Sequence, residues 1–402
     1  MREVVFVEFA RTAFGNRGGA LRGFTSCQLG AACLKALVQK SGIWEKGGEN
    51  AVEAVFAGSA ARSKDSSAPV RYMTQLAGFP VDTEAHQVEM QCGSAITSIN
   101  HAAFQIALGY TDVAIAGGTE SHSTRPVFMS SVTDPYKAMA PQWLQMRLAP
   151  EDEQNLPMLQ IADNMAAKWG VDRIQCDEFA LRSQQRLDAG YQSGLIGDEI
   201  IPMVIPGPKK TPEIVIDKDE FPKPQSTMEV LGRLRTINEG GVTTAGNASG
   251  LNDGAAFVLM MTAEKAKELG YTPYARWVMG ADIGVEPRFM GIGPAFSNMK
   301  ALKLAGLSVA DMDVWECNEA FAAQNLSVIK EIENQAGVTI DQEKWNPNGG
   351  AIAIGHPNAA SGARISMFAM KQLEKTGGKY GIFSSCCGGG HGTTTIIENL
   401  RR

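Results

Sequence analysis

Three segments and one strand end carry the side chains able to do chemistry. Cys92 lies in Gln91-Cys92-Gly93-Ser94-Ala95, and Cys386 and Cys387 open Cys386-Cys387-Gly388-Gly389-Gly390-His391-Gly392. His356 lies in Asn346 to Arg364, among Gly, Ala and Ile, with no other ionisable side chain before Arg364. Glycines let a backbone approach another group closely, so a lone imidazole there is placed to reach a ligand. The competing reading is a tight turn around a hydrogen-bonded core histidine. A nucleophilic cysteine needs a base from elsewhere in the chain. A free thiol titrates near ~8.5, and a helix N-terminus lowers that value. Cys92 stands just before an expected helix, so a lowered pKa and N–H groups able to receive an oxyanion are expected. The alternative is a cysteine used as a small hydrophobe. Cys386 and Cys387 end a strand, so their side chains point to opposite faces and one of them faces the site. Metal ligation is not expected, because the adjacent pair lacks ligand spacing and no second pair exists. Asn318-Glu319-Ala320-Phe321-Ala322 follows a strand, and polar residues at such an edge point into a ligand crevice. Two thiols, one imidazole and one amide suit acyl transfer with proton abstraction beside a carbonyl.

The elements that must position these groups alternate. Val4 to Phe9 and Val52 to Gly58 read as short buried strands, with a helix from Thr25 to Lys40 between them that Gly42 ends. Gln87 to Met90 runs straight into Cys92. Gly93 to Leu108 has helical spacing, and Asp112 to Ala116 is a strand closed by Gly117-Gly118. Cys92 is thus expected in a strand-to-helix turn. The C-terminal part repeats the grammar: Val314 to Cys317 as strand, Ser361 to Leu373 as helix, Tyr380 to Ser384 as strand. A duplicated α/β unit follows. Between the copies, Glu120 to Gly246 is richer in Pro, Met, Asp and Gln, with helical stretches at Ile161 to Lys168 and Cys176 to Ala189 and a loop from Gly207 to Gln225. Long insertions are often binding loops or lids. This one carries Lys209, Lys210, Lys218, Lys223, Arg233 and Arg235, either a solvated loop or a surface for a phosphate-bearing ligand.

The chain has 402 residues, 44% hydrophobic and 20% charged, enough for two or three packed units. A net charge of −6 suggests no nucleic-acid or acidic-membrane surface. Seven cysteines without a CxxC pair favour reduced thiols and a cytoplasmic setting. The strand-like start leaves no room for a signal peptide, and the apolar runs are too short for membrane insertion.

At this point the chain resembles the thiolase family, the acetyl-CoA acetyltransferases and 3-ketoacyl-CoA thiolases. Five ordered motifs beyond Arg11-Thr12-Ala13-Phe14-Gly15 carry the likeness: Cys92-Gly93-Ser94, Ala245 to Gly254, Asn318 to Ala322 (NEAFA), Asn348 to Arg364 (NGGAIAIGHPNAASGAR) and Cys386-Cys387-Gly388. The resemblance implies a five-layered α-β-α-β-α fold from two βαβαβαββ halves with an inserted loop domain. The divisions expected are 1–119, an inserted CoA-binding loop domain 120–246, a return at 247–271, and 272–402. It implies ping-pong Claisen condensation of two acyl-CoA molecules, or thiolysis of a 3-ketoacyl-CoA. CoA thioesters are then substrates, no separate cofactor is called for, and the chain assembles as a homodimer or homotetramer. Carried over by residue, Cys92 is the acylated nucleophile. His356 takes its proton and helps bind the thioester oxygen, with a water held by Asn318. Cys386 exchanges a proton with Cα, and the N–H groups of Cys92 and Gly388 form a second oxyanion hole. Ser249, Ala248, Gly250, Met158, Ala320 and Phe321 would line the pantetheine channel, with Lys223 and Arg233 in the basic insertion as CoA contacts.

The chain departs from the family pattern in places. Ala95 and Ala359 replace glycines, His391 stands where Met is common, Pro157 stands where a histidine is found beside Met158, and Val230 replaces a loop-domain serine. The sequence leaves direction and acyl-chain length open, although Met129, Met139, Met146, Met158 and Met290 are candidates for the acyl pocket. A ketoacyl-synthase-like condensing enzyme would pair one cysteine with two histidines, or with histidine and asparagine, and the second reactive cysteine argues against it. A non-catalytic lipid carrier should have lost one of Cys92, Asn318, His356 and Cys386, and all four are present.

Overall fold

In a computed structural model the described residues are 1–130, 140, 142–144, 146–205, 207 and 212–402. Lys209, Lys210 and Met139 lie outside them. Nine strands form the main path of one sheet. In the first half they are β1 (Val4–Thr12), β2 (Ala54–Gly58), β3 (Glu84–Val88), β4 (Val113–Ser121) and β5 (Asn252–Thr262). In the second half they are β6 (Ala275–Gly284), β7 (Met312–Cys317), β8 (Tyr380–Cys387) and β9 (His391–Asn399). The spatial order is β7-β8-β9-β6-β1-β5-β4-β2-β3. Each half has parallel strands toward its outer edge and antiparallel ones toward the middle, where β1 and β6 meet antiparallel at Val5↔Arg276 and Phe6↔Ala275.

There are seven long helices among the described residues: α1 (Ser26–Ser41), α2 (Ser94–Leu108), α3 (Met158–Trp169), α4 (Arg173–Gln192), α5 (Gly293–Ala305), α6 (Ala322–Ala336) and α7 (Ser361–Thr376), of which α3 and α4 belong to the insertion and pack on α6. Thr25 starts α1 with a reciprocal capping box to Gln28, and Gly42 ends it in the left-handed conformation. One core joins α2 and α7 between the two halves of the sheet, through Ile96, Ile99, Ala363, Met367 and Met370. A second lies under α1, and a third under α5 and α6. The result is the expected five layers, α1 outermost on one side and α5 with α6 on the other. The apolar faces of the two central helices have no route to water, which is why both read as nearly continuous buried stretches.

The duplication is visible in element order, with one difference. The second half has no counterpart of β3, whose place is taken by an isolated parallel bridge between Trp315 and Trp345. Three other expectations shift. β4 does not close at Gly117-Gly118 but runs on to Ser121, because both glycines are paired into the sheet opposite Phe257 and Ala256. β8 includes the cysteine pair. The stretch read as loop from Gly207 contains a short strand, Ile214–Ile216, paired with Met203–Ile205.

Buried charges fasten the insertion between β4 and β5 to the core. Arg11 on β1 is fully buried and donates to Glu199 at 3.0 Å and to Asp219 at 2.8 and 2.9 Å. Lys371 on α7 donates to Glu199 from the other side at 2.7 Å. Charges this deep persist only when paired, so removing Arg11 would leave two buried carboxylates short of a partner.

Candidate active site

Cys92 occupies a single turn, Gln91–Gly93, that feeds directly into α2. Gln91 takes φ +50°, uncommon for a residue with a side chain. Ser94 holds the turn, accepting from the Met90 N–H at 2.9 Å and donating to the Gln91 carbonyl at 2.7 Å. The turn rests on a floor of two glycines paired across β2 and β4, Gly58 and Gly118. A methyl on Gly58 would lie 2.5 Å from Ser94 Cβ, and one on Gly118 would lie 2.0 Å from the Ala359 carbonyl oxygen. Only bare backbone lets both the cysteine turn and the histidine turn sit so low.

The expected lowering of the Cys92 pKa is not found. Burial pushes the thiol up to about 12, Glu120 and Glu89 push the same way, and only its own backbone N–H opposes them. The helix start is present, but desolvation of a thiolate outweighs it. At that value Cys92 rests as a thiol at neutral pH.

His356 is the imidazole expected to serve as base, and it too is buried. Its backbone N–H donates to Asn252 Oδ1 at 2.9 Å, and its Nδ1 lies 2.6 Å from Ser361 Oγ. Nε2 is buried with no protein partner among the described residues. Burial, with His122 and Arg364 nearby, holds the imidazole pKa down to about 3, so the ring is neutral. Gly355 at φ +101° makes this approach possible, since a Cβ there would lie 2.6 Å from the Asn252 side chain.

The remaining polar groups come from strand ends of the second half. Cys386 is buried with Ile161, Met290 and Ala320, flanked by Leu156, Met158 and Phe321. Its thiol is pushed well above the usual range by burial and by Cys92, Cys317 and Cys387. Cys387 points the other way, as strand alternation requires, toward Gly93, where an added Cβ would lie 2.4 Å from the Cys387 sulfur. A methyl on Gly388 would meet Leu148 at 3.1 Å and Gln91 at 3.2 Å, which puts it beside the cysteine turn. Asn318 follows β7, its backbone N–H on the Ser384 carbonyl at 2.9 Å and its carbonyl accepting from Asn325 at 3.0 Å. Both polar atoms of its side chain are buried and unpartnered among the described residues.

Ala248 forms an isolated bridge with Phe321, and the Ser249 N–H donates to the Ala320 carbonyl at 3.0 Å. This pairing sets Ala248 and Ser249 alongside Ala320 and Phe321, which with Met158 pack at Cys386. A methyl on Gly250 would lie 2.5 Å from the Phe221 ring, over which Lys223 Nζ sits at 5.0 Å. Arg233 is apart from them, exposed and paired with Glu229 one helical turn earlier. Of the five methionines, Met158 and Met290 reach Cys386, whereas Met129 and Met146 are exposed. The family departures are absorbed locally: Ala95 packs against Gly362, Ala359 is fully buried, and Val230 is exposed.

Glu120, Asn252 and Ser361 were not anticipated. Glu120 had a signal, a carboxylate two residues after Gly117-Gly118 at a strand end. Asn252 and Ser361 had none beyond membership in longer motifs.

The sequence matches the family descriptions "Thiolase, N-terminal domain" over residues 4–264 and "Thiolase, C-terminal domain" over 271–399. The chain belongs to the thiolase family. This thiolase is 40% identical to the acetyl-CoA acetyltransferase of Thiocystis violacea over 99% of both chains. It is 39% identical to the beta-ketoadipyl-CoA thiolase of Pseudomonas aeruginosa, over 99% of this chain and 100% of that one. Among solved structures it is similar to human mitochondrial 3-ketoacyl-CoA thiolase, with TM-score 0.90, 36% identity and 99% of each chain covered. A structure of that human enzyme with CoA is also similar, with TM-score 0.88. The chain is an acyltransferase enzyme of this family. No helix among the described residues is long and apolar enough to cross a membrane.

Proposed function

We propose that Cys92, His356, Cys386 and Asn318 carry the two half-reactions of a thiolase on acetyl-CoA and short 3-ketoacyl-CoA substrates. The observation that carries this reading is three buried polar atoms, His356 Nε2 and both side-chain atoms of Asn318, with no partner among the described residues. Such groups are costly unless something completes them, and a water with a thioester oxygen would do so. In thiolysis His356 takes the Cys92 proton, and the sulfur attacks the 3-keto carbon. The C2–C3 bond breaks, its electron pair goes to C2, and Cys386 protonates it, releasing acetyl-CoA. CoA then attacks the acyl-cysteine, its thiol proton returning to Cys386, while the Cys92 thiolate recovers its proton from the imidazolium. A neutral resting Cys386 suits that donor role, and the raised pKa supports it. The N–H groups of Cys92 and Gly388 receive the second oxyanion.

The apolar cluster at Cys386, closed by Met158, Met290 and Phe321, supports a short acyl group. Ala248, Ser249, Gly250, Ala320 and Phe321 line the path for pantetheine, with Lys223 nearer the phosphates than Arg233. The domain divisions at 119, 246 and 271 are offered on the same footing, as are a cytoplasmic setting and homo-oligomer assembly. The outer edge of β3, half exposed and unpaired by any described strand, supports addition of a second copy. Labelling with radioactive acetyl-CoA, followed by digestion and mapping, tests the nucleophile. Label on Cys386 or Cys387 with none on Cys92 would overturn the assignment, and thiolysis rate against chain length tests the pocket.

A further inference from the structure

The end of β4 reaches the turn that carries His356 at two points. Glu120 and His122 stand two residues apart. The Glu120 carboxylate is fully buried and accepts from the Ala60 N–H at 3.1 Å and the Ala61 N–H at 3.2 Å, just beyond β2. The Ala359 N–H faces the same carboxylate. His122 is 5% exposed, and its Nε2 lies 3.2 Å from Asn358 Oδ1. Asn358 and Ala359 are the second and third residues after His356, in the turn Asn358–Ala360. The same turn lies against the Gly118 backbone and packs on the turn of Cys92.

We propose that Glu120 and His122 are positioning residues of the acylation step: from the end of β4 they grip consecutive residues of the histidine turn and so hold His356 over Cys92. This rests on the assignment of His356 as the base for Cys92. The chemistry favours such a grip. Burial raises the Glu120 carboxyl to about 7, and above that pH the carboxylate that accepts from Ala60 and Ala61 and faces the Ala359 N–H is a charge-assisted link between the two segments. Among the described residues His356 has one side-chain tether, Ser361, and one backbone tether, Asn252, so its ring position depends on the path of the turn.

Glu120 also faces Cys92, as do Glu89, Cys386 and Cys387, and Arg125 faces Glu120. This gives the test a sign. Removing the Glu120 charge by itself makes the thiol easier to ionise, whereas loosening the histidine turn makes it harder to deprotonate at neutral pH. Rates of Cys92 alkylation by iodoacetamide are measured from pH 6 to 10 in wild type, Glu120→Gln, His356→Gln and the double variant. If Glu120 acts through His356, Glu120→Gln lowers the neutral-pH rate about tenfold or more in the wild-type background. In the His356→Gln background it leaves the rate unchanged or raises it. An equal loss in both backgrounds overturns the proposal, as does a wild-type rate in Glu120→Gln. Such a background-independent loss would bear on Glu120 alone. Failure of the His356 reading would show instead as a wild-type profile in His356→Gln. Should Glu120→Gln not fold, Asn358→Ala removes the second grip on a half-exposed side chain. It is expected to lower kcat for acetoacetyl-CoA thiolysis several-fold with KM within about twofold, and an unchanged kcat overturns the proposal.

Discussion

Adding one methyl at Gly118 tests whether the histidine turn really rests on the sheet. In Gly118→Ala the new Cβ would lie 2.0 Å from the Ala359 carbonyl oxygen, 2.8 Å from its carbonyl carbon and 3.2 Å from the Gly58 carbonyl oxygen. All three are backbone atoms, so no side chain can swing aside. Real Cβ contacts essentially never fall below 3.0 Å, so the turn must lift by about 1 Å. Ala359 is three residues from His356, and Nε2 moves with it. Misplacement of a catalytic group by ~1 Å costs up to ~10² in rate, so kcat for acetoacetyl-CoA thiolysis should fall about 10- to 100-fold. Overpacking costs ~1–3 kcal/mol of stability. Gly306→Ala is the matched control. Its φ of +68° makes alanine unfavourable, but nothing lies within 4 Å of the new methyl. The control should lose stability and keep its kcat. Thermal unfolding and steady-state thiolysis of both variants decide the matter. If Gly118→Ala is destabilised but turns over at the wild-type rate, the floor does not position the base.

Other outcomes follow from the same geometry. His356→Gln should lose most neutral-pH acylation of Cys92. A thiol at about 12 is only ~10⁻⁵ ionised at pH 7, so the residual rate should climb about tenfold per pH unit up to pH 10, and a flat profile would refute the base role. Cys386→Ala should nearly abolish condensation while leaving Cys92 able to be acylated, and Cys387→Ala should be mild; the reverse pattern, read by acetyl labelling and condensation rate, would put the wrong sulfur at the site. Lys223→Glu should raise the Michaelis constant for CoA more than Arg233→Glu, because Arg233 is already paired with Glu229; equal constants at low and high salt would place the phosphate contacts elsewhere. His356 and His122 stay neutral in the fold with pKa values of about 3 and about 4, below the ordinary 6.5. The unfolded chain therefore binds more protons below pH 6.5. Their contribution to stability is complete above that value and is lost as pH falls toward 4 and 3, which a denaturation series at pH 7, 6, 5 and 4 would detect.

Much of this site could be read from residue order. Cys92 before a helix, the opposed faces of Cys386 and Cys387, and a polar Asn318 after β7 all follow from element periodicity and side-chain direction. The direction of the Cys92 pKa did not follow, because a sequence shows the helix start but not the burial that outweighs it. The extension of β4 through Gly117-Gly118 was also hidden. Paired glycines usually punctuate a chain, and here Gly118 is needed for the close approach of Ala359 and Gly117 for that of Ala256 and Phe257 on the next strand. Glu120 was hidden for the same reason: its partners Ala60 and Ala61, and the Ala359 N–H it faces, are backbone amides that any sequence provides.

The central layer has a consequence for how activity appears in time. Cys92 heads α2 in the first half, and His356 precedes α7 in the second. Hydrogen bonds tie the layer to β9 over nearly 300 residues, Thr97 to Thr393 at 3.3 Å and Asn100 to the Thr394 carbonyl at 3.0 Å. Cys92 and His356 thus come from different halves, and among the described residues the two halves of the sheet meet at a short β1–β6 junction. Chain segments so far apart meet late, after local structure has formed. On refolding from denaturant, helical signal should return first and thiolysis last. A newly synthesised chain would carry an inert cysteine until its final hundred residues had folded back onto the first.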